Sequence, residues 1–475
     1  MSFDPAADLV SHARNARVVV IGGGAAGLVA ALECAKIGMR VTLLEAGDRL
    51  GGSIASAEID GETVDVAGDG FRLARGALAD LIDELGLQGE VVRARPGDTW
   101  VAGPHGVAPL PTASMLGIPA NPFDDRTRAI IGWSGVWRAY IDRLRPPLTI
   151  GTERSLGALV RTRLGARVVD RMVAPLTYGV HGLSPELVDV DSALRGLNTA
   201  LTRTGSLTGA VSQQLPDAGA PESRATLRGG MSTFVEALRA RLVDLDVDIR
   251  MAAPVTRIDR IDGGWSVTAA PAGEESDETG PILAHAVIVA TPERHARALL
   301  APHLPELDEP PISPDDIDVV TLLLDAPALD ARPRGHAVYA VPRPGAASAV
   351  VHATATWPHE PGQPHVVRVT LPATDDTDAA AVTAATEAAR DLLGVDLGRV
   401  RGAIRTRHER GLPASALSPA REAVRATARS DDRLGVVGAW IGGNGLVRVV
   451  GDAHTEAERI RSTLLWGTGS EDASR

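Results

Sequence analysis

The sequence predicts a mixed α/β fold, and three observations predict it. Residues 18–46 hold an unbroken strand, glycine turn, helix and second strand. Short apolar runs of strand type alternate with helical stretches through most of the chain. A second glycine turn, Gly442-Gly443-Asn444-Gly445, opens a closing helix near the far end. Strand patterns that stop and return late in the chain imply discontinuous domains.

The first unit is the most specific. Val18–Ile21 is a short apolar strand, and Gly22, Gly24 and Gly27 form a G-x-G-x-x-G turn into a helix from about Ala25 to Ile37. Gly22 allows the tight turn, Gly24 admits a pyrophosphate to the backbone, and Gly27 lets helix and strand pack closely. The helix start then offers free N–H groups to phosphates. Val41–Leu44 is the second strand, and Glu45 follows it where a ribose hydroxyl needs an acceptor. Arg49, Gly51 and Gly52 extend the pattern to Glu-x-x-x-Arg-x-Gly-Gly.

A hairpin-like pair follows, Ser53–Ile59 and Glu62–Val66, then Gly68-Asp69-Gly70-Phe71 and a helix ending at Glu84–Leu87. Residues 96–122 are rich in Pro and Gly and read as strands and loops. Residues 126–203 turn helical, with one helix opening at Ser155 and another over Arg167–Met172. Residues 204–225 read as a Gly/Ser/Pro-rich connector. Beyond it come a helix to Leu242, strands at Val247–Arg250, Val255–Ile261 and Trp265–Ala269, and a polar tip at Pro271–Gly280. Further strands are expected at Ala286–Ala290, Val319–Leu324, Ala337–Val341, Val366–Leu371 and Leu434–Ala439. Ala379–Leu393 reads as a helix, and the last helix runs to about Leu464.

Bulk properties narrow the function. The 475 residues suffice for two or three domains, and 44% hydrophobic content with a mean hydropathy of +0.03 fits a globular chain. The net charge of −12 argues against nucleic-acid binding. Cys34 is the single cysteine, so no disulfide or Cys-x-x-Cys redox pair forms within one chain, and a reducing, cytoplasmic setting fits. Met1–Asn15 has no apolar run of the secretory type, and no stretch reads as a membrane span. The twelve histidines are scattered without a metal-ligand spacing or a Ser-His-Asp set. From Arg126 to Arg203 there are twelve Arg and six Asp or Glu, a net +6 within a negative chain. A solvated helix face, an anion-facing surface and a membrane-surface contact all remain open for that segment.

The chain resembles the protoporphyrinogen/coproporphyrinogen oxidase family of the flavin amine oxidase superfamily from about Arg17 to Ile460. The resemblance rests on the first unit and five further segments. These are Gly61–Leu87, Ser155–Leu183 with Ala174-Pro175-Leu176-x-x-Gly179-Val180, Leu227–Met231, Val287–Pro292 and Gly438–Leu446. It implies an FAD-binding Rossmann-like fold of the two-dinucleotide-binding-domain type, with a discontinuous α+β substrate domain and a helical insertion. On that plan 14–90, 225–305 and 411–466 form the FAD-binding domain, 91–125 and 306–410 the substrate domain, and 126–215 the helical domain.

The implied activity is oxidation of a porphyrinogen with dioxygen as acceptor, in heme biosynthesis. The flavin, not a protein side chain, carries the redox chemistry. The four-carboxylate coproporphyrinogen III is favoured over protoporphyrinogen IX, and an amine oxidase or carotenoid desaturase activity and a scaffold without turnover stay open. By resemblance, FAD is held by Gly22, Gly23, Gly24, Ala25, Ala26, Gly27, Glu45, Ala46, Arg49, Gly52 and Ser53. It is further held by Gly68, Asp69, Gly70, Phe71, Val255, His408, Gly438, Gly445, Leu446, Val447 and Arg448. No His or Cys stands at an attachment position, so the cofactor is expected to be non-covalent. Arg75, Arg171 and His181 are the substrate-binding candidates. Peripheral contact with a membrane or with another heme-pathway enzyme is the implied partnership. Three positions depart from the family pattern: His408 stands where Trp is usual, Leu446–Val450 replaces Ile-Pro-Asp-Cys-Ile, and His181 replaces a frequent Tyr.

Overall fold

The computed structural model describes residues 11–144, 153–215, 223–270, 280–307, 315–341, 343, 345–408 and 419–466. Its centre is a five-stranded parallel sheet of β1 (Arg17–Ile21), β2 (Arg40–Leu44), β3 (Asp248–Arg250), β4 (Ala286–Val289) and β5 (Leu434–Val436), in the order β3-β2-β1-β4-β5. Val18 lies opposite Val41 on one side and Ala286 on the other, and Val287 lies opposite Leu434. The strands are nearly continuous apolar runs because both faces are covered. Helices α1 (Ala25–Ala35), α2 (Ser232–Asp244) and α3 (Leu446–Trp466) cover one face. Leu28, Leu32, Phe234, Leu238, Val450 and Ile460 meet there in one buried cluster. Cys34 is buried in it as expected, and burial pushes its thiol up to about 12, so it is inert at neutral pH.

A second sheet has seven strands. In order across the sheet they are Arg399–His408, Ile317–Asp325, His365–Pro372, Ala349–His352, Ala337–Ala340, Thr99–Gly103 and Gly106–Pro109. A strand from the first quarter thus pairs with one from the last third, Trp100 opposite Val338. Helix Asp378–Leu393 buries Ala381, Ala385, Ala389 and Leu393 against this sheet, every fourth residue on one stripe. Thr377 caps its start by accepting from the Ala380 N–H.

Residues 125–144 and 153–214 form the helical region. Its core gathers Ile130, Val136, Leu156, Val160, Leu164 and Met172. Arg163 and Asp142 form a buried pair at 3.2 Å, and Asp142 also accepts from the Leu207 N–H at 2.6 Å. Helix Ala166–His181 widens to π geometry at Val169–Val173 and again at Thr177–His181. Pro175 stands between the two widened stretches. It has no N–H to give to a regular α ladder, which is a local cause for the irregular winding.

The structure differs from the sequence reading in several elements. The connector expected at 204–225 contains a helix, Leu207–Gln214, capped by Ser206 through the Gly209 N–H. It forms because Leu207, Ala210 and Val211 complete the helical core. The strand expected to reach Ala439 stops at Val436, since Gly438 has φ +125° and starts a short helical turn, Ala439–Gly442. The strand expected from Ser53 begins at Ser56. Helix Pro419–Ser430 and strand Arg399–His408 had no clear sequence signal, because few large apolar residues mark their packed sides, although their arginines recur at helical and strand spacing. The polar tip after Pro271 lies outside the described residues apart from Gly280.

Candidate active site

In the parallel sheet the strand order reverses between β1 and β4, and a crevice opens beyond their carboxyl ends. The glycine turn lies there. Gly22 has φ +106°, and a Cβ on it would stand 2.9 Å from the Ala290 carbonyl oxygen. A Cβ on Gly27 would stand 1.9 Å from the Gly22 oxygen, so helix and turn touch backbone to backbone. Gly24 is different: a Cβ there meets nothing nearer than the Gly52 Cα at 4.0 Å. An open groove therefore runs over Gly24, with Gly51 fixed beside it by an N–H bond to the Gly23 carbonyl at 2.9 Å. The start of α1 carries no side-chain cap. This is a cradle of the shape a diphosphate needs.

Glu45 closes the next part of the crevice. Its carboxylate accepts from the Gly23 N–H at 2.6 Å and the Gly47 N–H at 2.8 Å. Each oxygen retains a lone pair for a further donor. The Ala252 and Ala253 N–H groups bond the Gly47 and Glu45 carbonyls at 2.8 Å, which brings the start of the Val255 strand to the same end as Ala46. Arg49 does not reach into the groove: it donates to the Gly52 carbonyl at 3.0 Å and the Ile54 carbonyl at 3.3 Å, shaping the loop that leads to Ser53. A cavity of about 730 Å³ opens beside it, lined by Arg49, Leu50, Ile54, Val235, Arg239 and Met251.

The Gly68–Phe71 loop is anchored from the second sheet. Gly68 donates to the Ser53 carbonyl at 3.1 Å, and Phe71 is buried in the first core. Arg368 ion-pairs with Asp69 and donates to the Asp65 and Ala67 carbonyls at 3.1 Å. The Trp357 Nε1–H donates to the same Asp69 oxygen, Oδ2, at 3.1 Å. Gly70 leaves no room for a side chain, since its Cβ would meet the Trp357 ring at 2.8 Å. Arg368 and Trp357 escaped the sequence reading. A lone arginine inside the apolar run Val366–Leu371 was the available signal.

At the far end, Gly438, Gly443 and Gly445 have φ of +125°, +120° and +87°, and the Val437 N–H bonds the Val289 carbonyl at 3.0 Å. The turn sits next to the β1–β4 crevice and delivers Leu446, Val447 and Arg448 to the start of α3. Arg448 donates to the Ser192 carbonyl at 2.7 Å. A polar cavity of about 430 Å³ lies here, lined by Arg154, Asp189, Arg195, Glu422, Gly443 and Arg448. Burial, then the positive charge of Arg195, lowers the affinity of Arg448 for its proton. Gly179 packs on Tyr339, where a Cβ would stand 2.2 Å from the ring.

The three substrate candidates occupy separate settings. Arg75 is exposed on the turn before helix Ala77–Glu84. Arg171 donates to the Ile130 carbonyl at 3.0 Å within the helical region. His181 is largely buried, and burial with the nearby Arg448 pushes its pKa down to about 4. His408 ends an edge strand of the second sheet, opposite Ile317. The histidines are not all scattered in space: His359, His365 and Asp330 converge.

The low pKa of His181 links stability to pH. The unfolded chain takes up this proton near the ordinary imidazole value of 6.5 and the folded chain only near 4. Its contribution is complete above that higher value and is lost as pH falls through the window. Urea midpoints are expected to drop between those values, and His181→Gln to flatten the slope by up to about 1.4 kcal/mol per pH unit. Identical slopes for both proteins would show that His181 titrates normally.

Crevice, turn and acidic acceptor together define a dinucleotide-binding oxidoreductase fold. Residues 25–460 match the family described as flavin containing amine oxidoreductase, and the chain belongs to that family. It is an FAD-dependent oxidoreductase. It is similar to the coproporphyrinogen III oxidase of Bacillus subtilis, 24% identical over 295 residues, 60% of this chain and 61% of that one. It is also similar to the coproporphyrinogen III oxidase of Mycobacterium tuberculosis, 30% identical over 285 residues, 58% of each chain. The chain therefore spans about six tenths of the length of these curated relatives. Among solved structures, a provisionally named protoporphyrinogen oxidase from Exiguobacterium has a TM-score of 0.80 at 25% identity, covering 94% of this chain and 99% of that one. A reduced UDP-galactopyranose mutase shares the fold at a TM-score of 0.68 and 15% identity, over 97% of this chain and 98% of that one. The expected family, FAD and α/β fold are borne out. No helix among the described residues is long and apolar enough to cross a membrane.

Proposed function

We propose that this chain oxidises a porphyrinogen to the porphyrin, with coproporphyrinogen III as the favoured substrate, dioxygen as the acceptor and hydrogen peroxide as the by-product. The reaction removes six electrons. The observation that carries the reading is the Arg195–Arg448 pair in the polar cavity where the helical region meets the C-terminal glycine turn. The partly buried Arg448 guanidinium, with the charge of Arg195 nearby, is relieved by an anion, and arginine suits the planar fork of a propionate. The names of the curated relatives support the same substrate class.

The flavin, when bound, supplies the redox chemistry. The residues of this chain hold and orient. The Gly22–Gly27 turn and the start of α1 receive the diphosphate, with Ala25 and Ala26 offering N–H groups. Glu45 accepts from a ribose hydroxyl, and Ala46 and Val255 flank the adenosine end. Gly52, Ser53 and the Gly68–Phe71 loop form the flavin side, and Gly438, Gly445, Leu446 and Val447 close it. His181 is neutral above about pH 4, so one ring nitrogen is available as an acceptor. Arg75 is an outer contact.

Glu45→Ala is expected to weaken FAD binding by about 1.5–3 kcal/mol, the scale for a hydrogen bond to a charged group. Fluorescence titration of the apoprotein checks this, and an unchanged Kd would remove Glu45 from the ribose site. Arg195→Ala should raise the Michaelis constant for coproporphyrinogen III by roughly tenfold, about 1.4 kcal/mol, with FAD content intact. Arg75→Ala should raise it by less. An aerobic assay that follows porphyrin fluorescence from coproporphyrinogen III and protoporphyrinogen IX tests the whole reading. Porphyrin from neither substrate, with a yellow enzyme in the cuvette, would overturn it.

The cationic helical segment also bears exposed apolar side chains. Trp133, Trp137, Ile141 and Leu144 are all exposed, and the Arg128 guanidinium lies 5.0 Å over the Trp133 ring. This supports the membrane-surface reading of the segment, which co-sedimentation with anionic vesicles tests.

A further inference from the structure

Beside the second sheet lie three groups that the proposed reaction does not use. Asp330 lies in the helical turn Pro327–Ala331, His359 in the loop after Trp357, and His365 at the start of strand His365–Pro372. One ligand atom from each lies within 4.8 Å of the other two. His365 Nε2 is 3.3 Å from Asp330 Oδ1. Two ligands at about 2.0–2.1 Å from a tetrahedral zinc stand about 3.3 Å apart, so this pair already has the required spacing. The His359 ring lies 4.6 Å from that of His365, centroid to centroid.

The supporting groups have the character of a built site. A backbone group of Gln363 bonds the His359 ring, and His359 Nε2 is buried with no hydrogen-bond partner among the described residues. Arg95 fixes the same loop through the His359 carbonyl at 2.6 Å. His365 is 3% exposed, and its Nδ1 meets Thr354 Oγ1 at 3.1 Å and His352 Nε2 at 3.3 Å. Those two neighbours hold the ring so that Nε2 points at Asp330, as the outer partners of metal-bound histidines do. Asp330 and Glu360 bring negative charge, balanced in part by Arg95.

We propose that Asp330, His359 and His365 bind one divalent first-row transition ion, with zinc the best match to two imidazoles, one carboxylate and an open fourth position. Asp330 and His359, the two partly exposed members, rotate to close the shell around the ion. His365 then carries its proton on Nδ1, toward Thr354. The ion ties the Pro327–Ala331 turn to the loop that begins at Trp357. Because Trp357 holds Asp69, the metal stiffens the wall behind the Gly68–Phe71 loop.

The test uses the flavin-loaded enzyme after treatment with a chelator. Titration with cobalt(II) should give ligand-field bands of tetrahedral cobalt to the red of the flavin absorption, saturating at one ion per chain, and zinc(II) should erase them. His359→Gln and Asp330→Asn, both at partly exposed positions, should each weaken cobalt binding by roughly tenfold or more. His295→Gln, at an exposed position on helix Glu293–Leu300, should bind as the wild type does. Near-UV circular dichroism of each variant separates loss of ligand from loss of fold. Absence of tetrahedral bands at saturating cobalt would overturn the proposal, as would unchanged bands in a folded His359→Gln protein. In either case the three groups are a hydrogen-bonded cluster within the sheet.

Discussion

Gly27→Ala is expected to be purified without flavin. The added methyl would stand 1.9 Å from the Gly22 carbonyl oxygen and 3.2 Å from the Ala290 Cβ. Neither neighbour can retreat. Gly22 is fixed by its N–H bond to the Leu44 carbonyl at 2.8 Å, and Ala290 by its bond to Ile21 at 2.8 Å. Helix α1 must therefore lift from the turn, and the N–H groups at its start leave the groove over Gly24. Overpacking of this severity costs about 3 kcal/mol or more, enough to weaken FAD binding over a hundredfold. The ratio of flavin to protein absorbance and a titration of the apoprotein measure it. Gly38→Ala is the matched control, with φ +85° but nothing within 4 Å of the new methyl. It should cost about 1 kcal/mol in stability and keep its flavin. A yellow Gly27→Ala protein with normal affinity would show that helix and turn do not need this contact.

Arg368→Met should destabilise the protein by about 3 kcal/mol and loosen FAD. Arg368 is 7% exposed and serves Asp69 together with two backbone carbonyls. Methionine fills much of the volume but leaves those acceptors without a donor, and the partly buried Asp69 carboxylate keeps only the Trp357 N–H. The figure is set at the low end of the range for broken ion pairs because the Asp69 side chain is 26% exposed. Arg368→Lys should recover a minor part, since an ammonium cannot reach three acceptors with a planar fork. Denaturant midpoints and FAD Kd values report both effects. Wild-type stability in Arg368→Met would mean that the Gly68–Phe71 loop is positioned without the second sheet.

The first βαβ unit was legible because its signals are local. Apolar run, glycine spacing and terminal acid all fall within 28 residues, from Val18 to Glu45, and each has one structural meaning there. Helix Leu207–Gln214 was not legible, because its Gly and Ser content is that of a linker and only tertiary burial of Leu207 and Val211 makes it a helix. The same holds for the Arg368–Asp69–Trp357 contact, which joins residues some three hundred positions apart. Asp330, His359 and His365 carried no recognisable ligand spacing because a turn, a loop and a strand supply one group each. Arg75 looked well placed by its nearness in sequence to the Gly68–Phe71 loop. The chain turns outward after Phe71 and leaves the side chain exposed. Charge counting over residues 126–203 singled out a segment, yet not Arg195, which lines the polar cavity together with Arg448 from the far end of the chain.

The two π stretches in helix Ala166–His181 give it slack in length. Each widened turn holds one residue more than an α turn spans. Deleting a single residue, such as Asp170, would let that turn close to regular α geometry with its hydrogen bonds intact. The wide turn absorbs the surplus residue, so the residues beyond it would keep their face, with Gly179 on the Tyr339 ring and His181 beside Arg448. The same deletion in a regular α stretch, such as Leu156–Leu164, would swing everything beyond it by about 100° around the axis. Natural variation in residue number along this helix is thus expected to fall at the two widened turns.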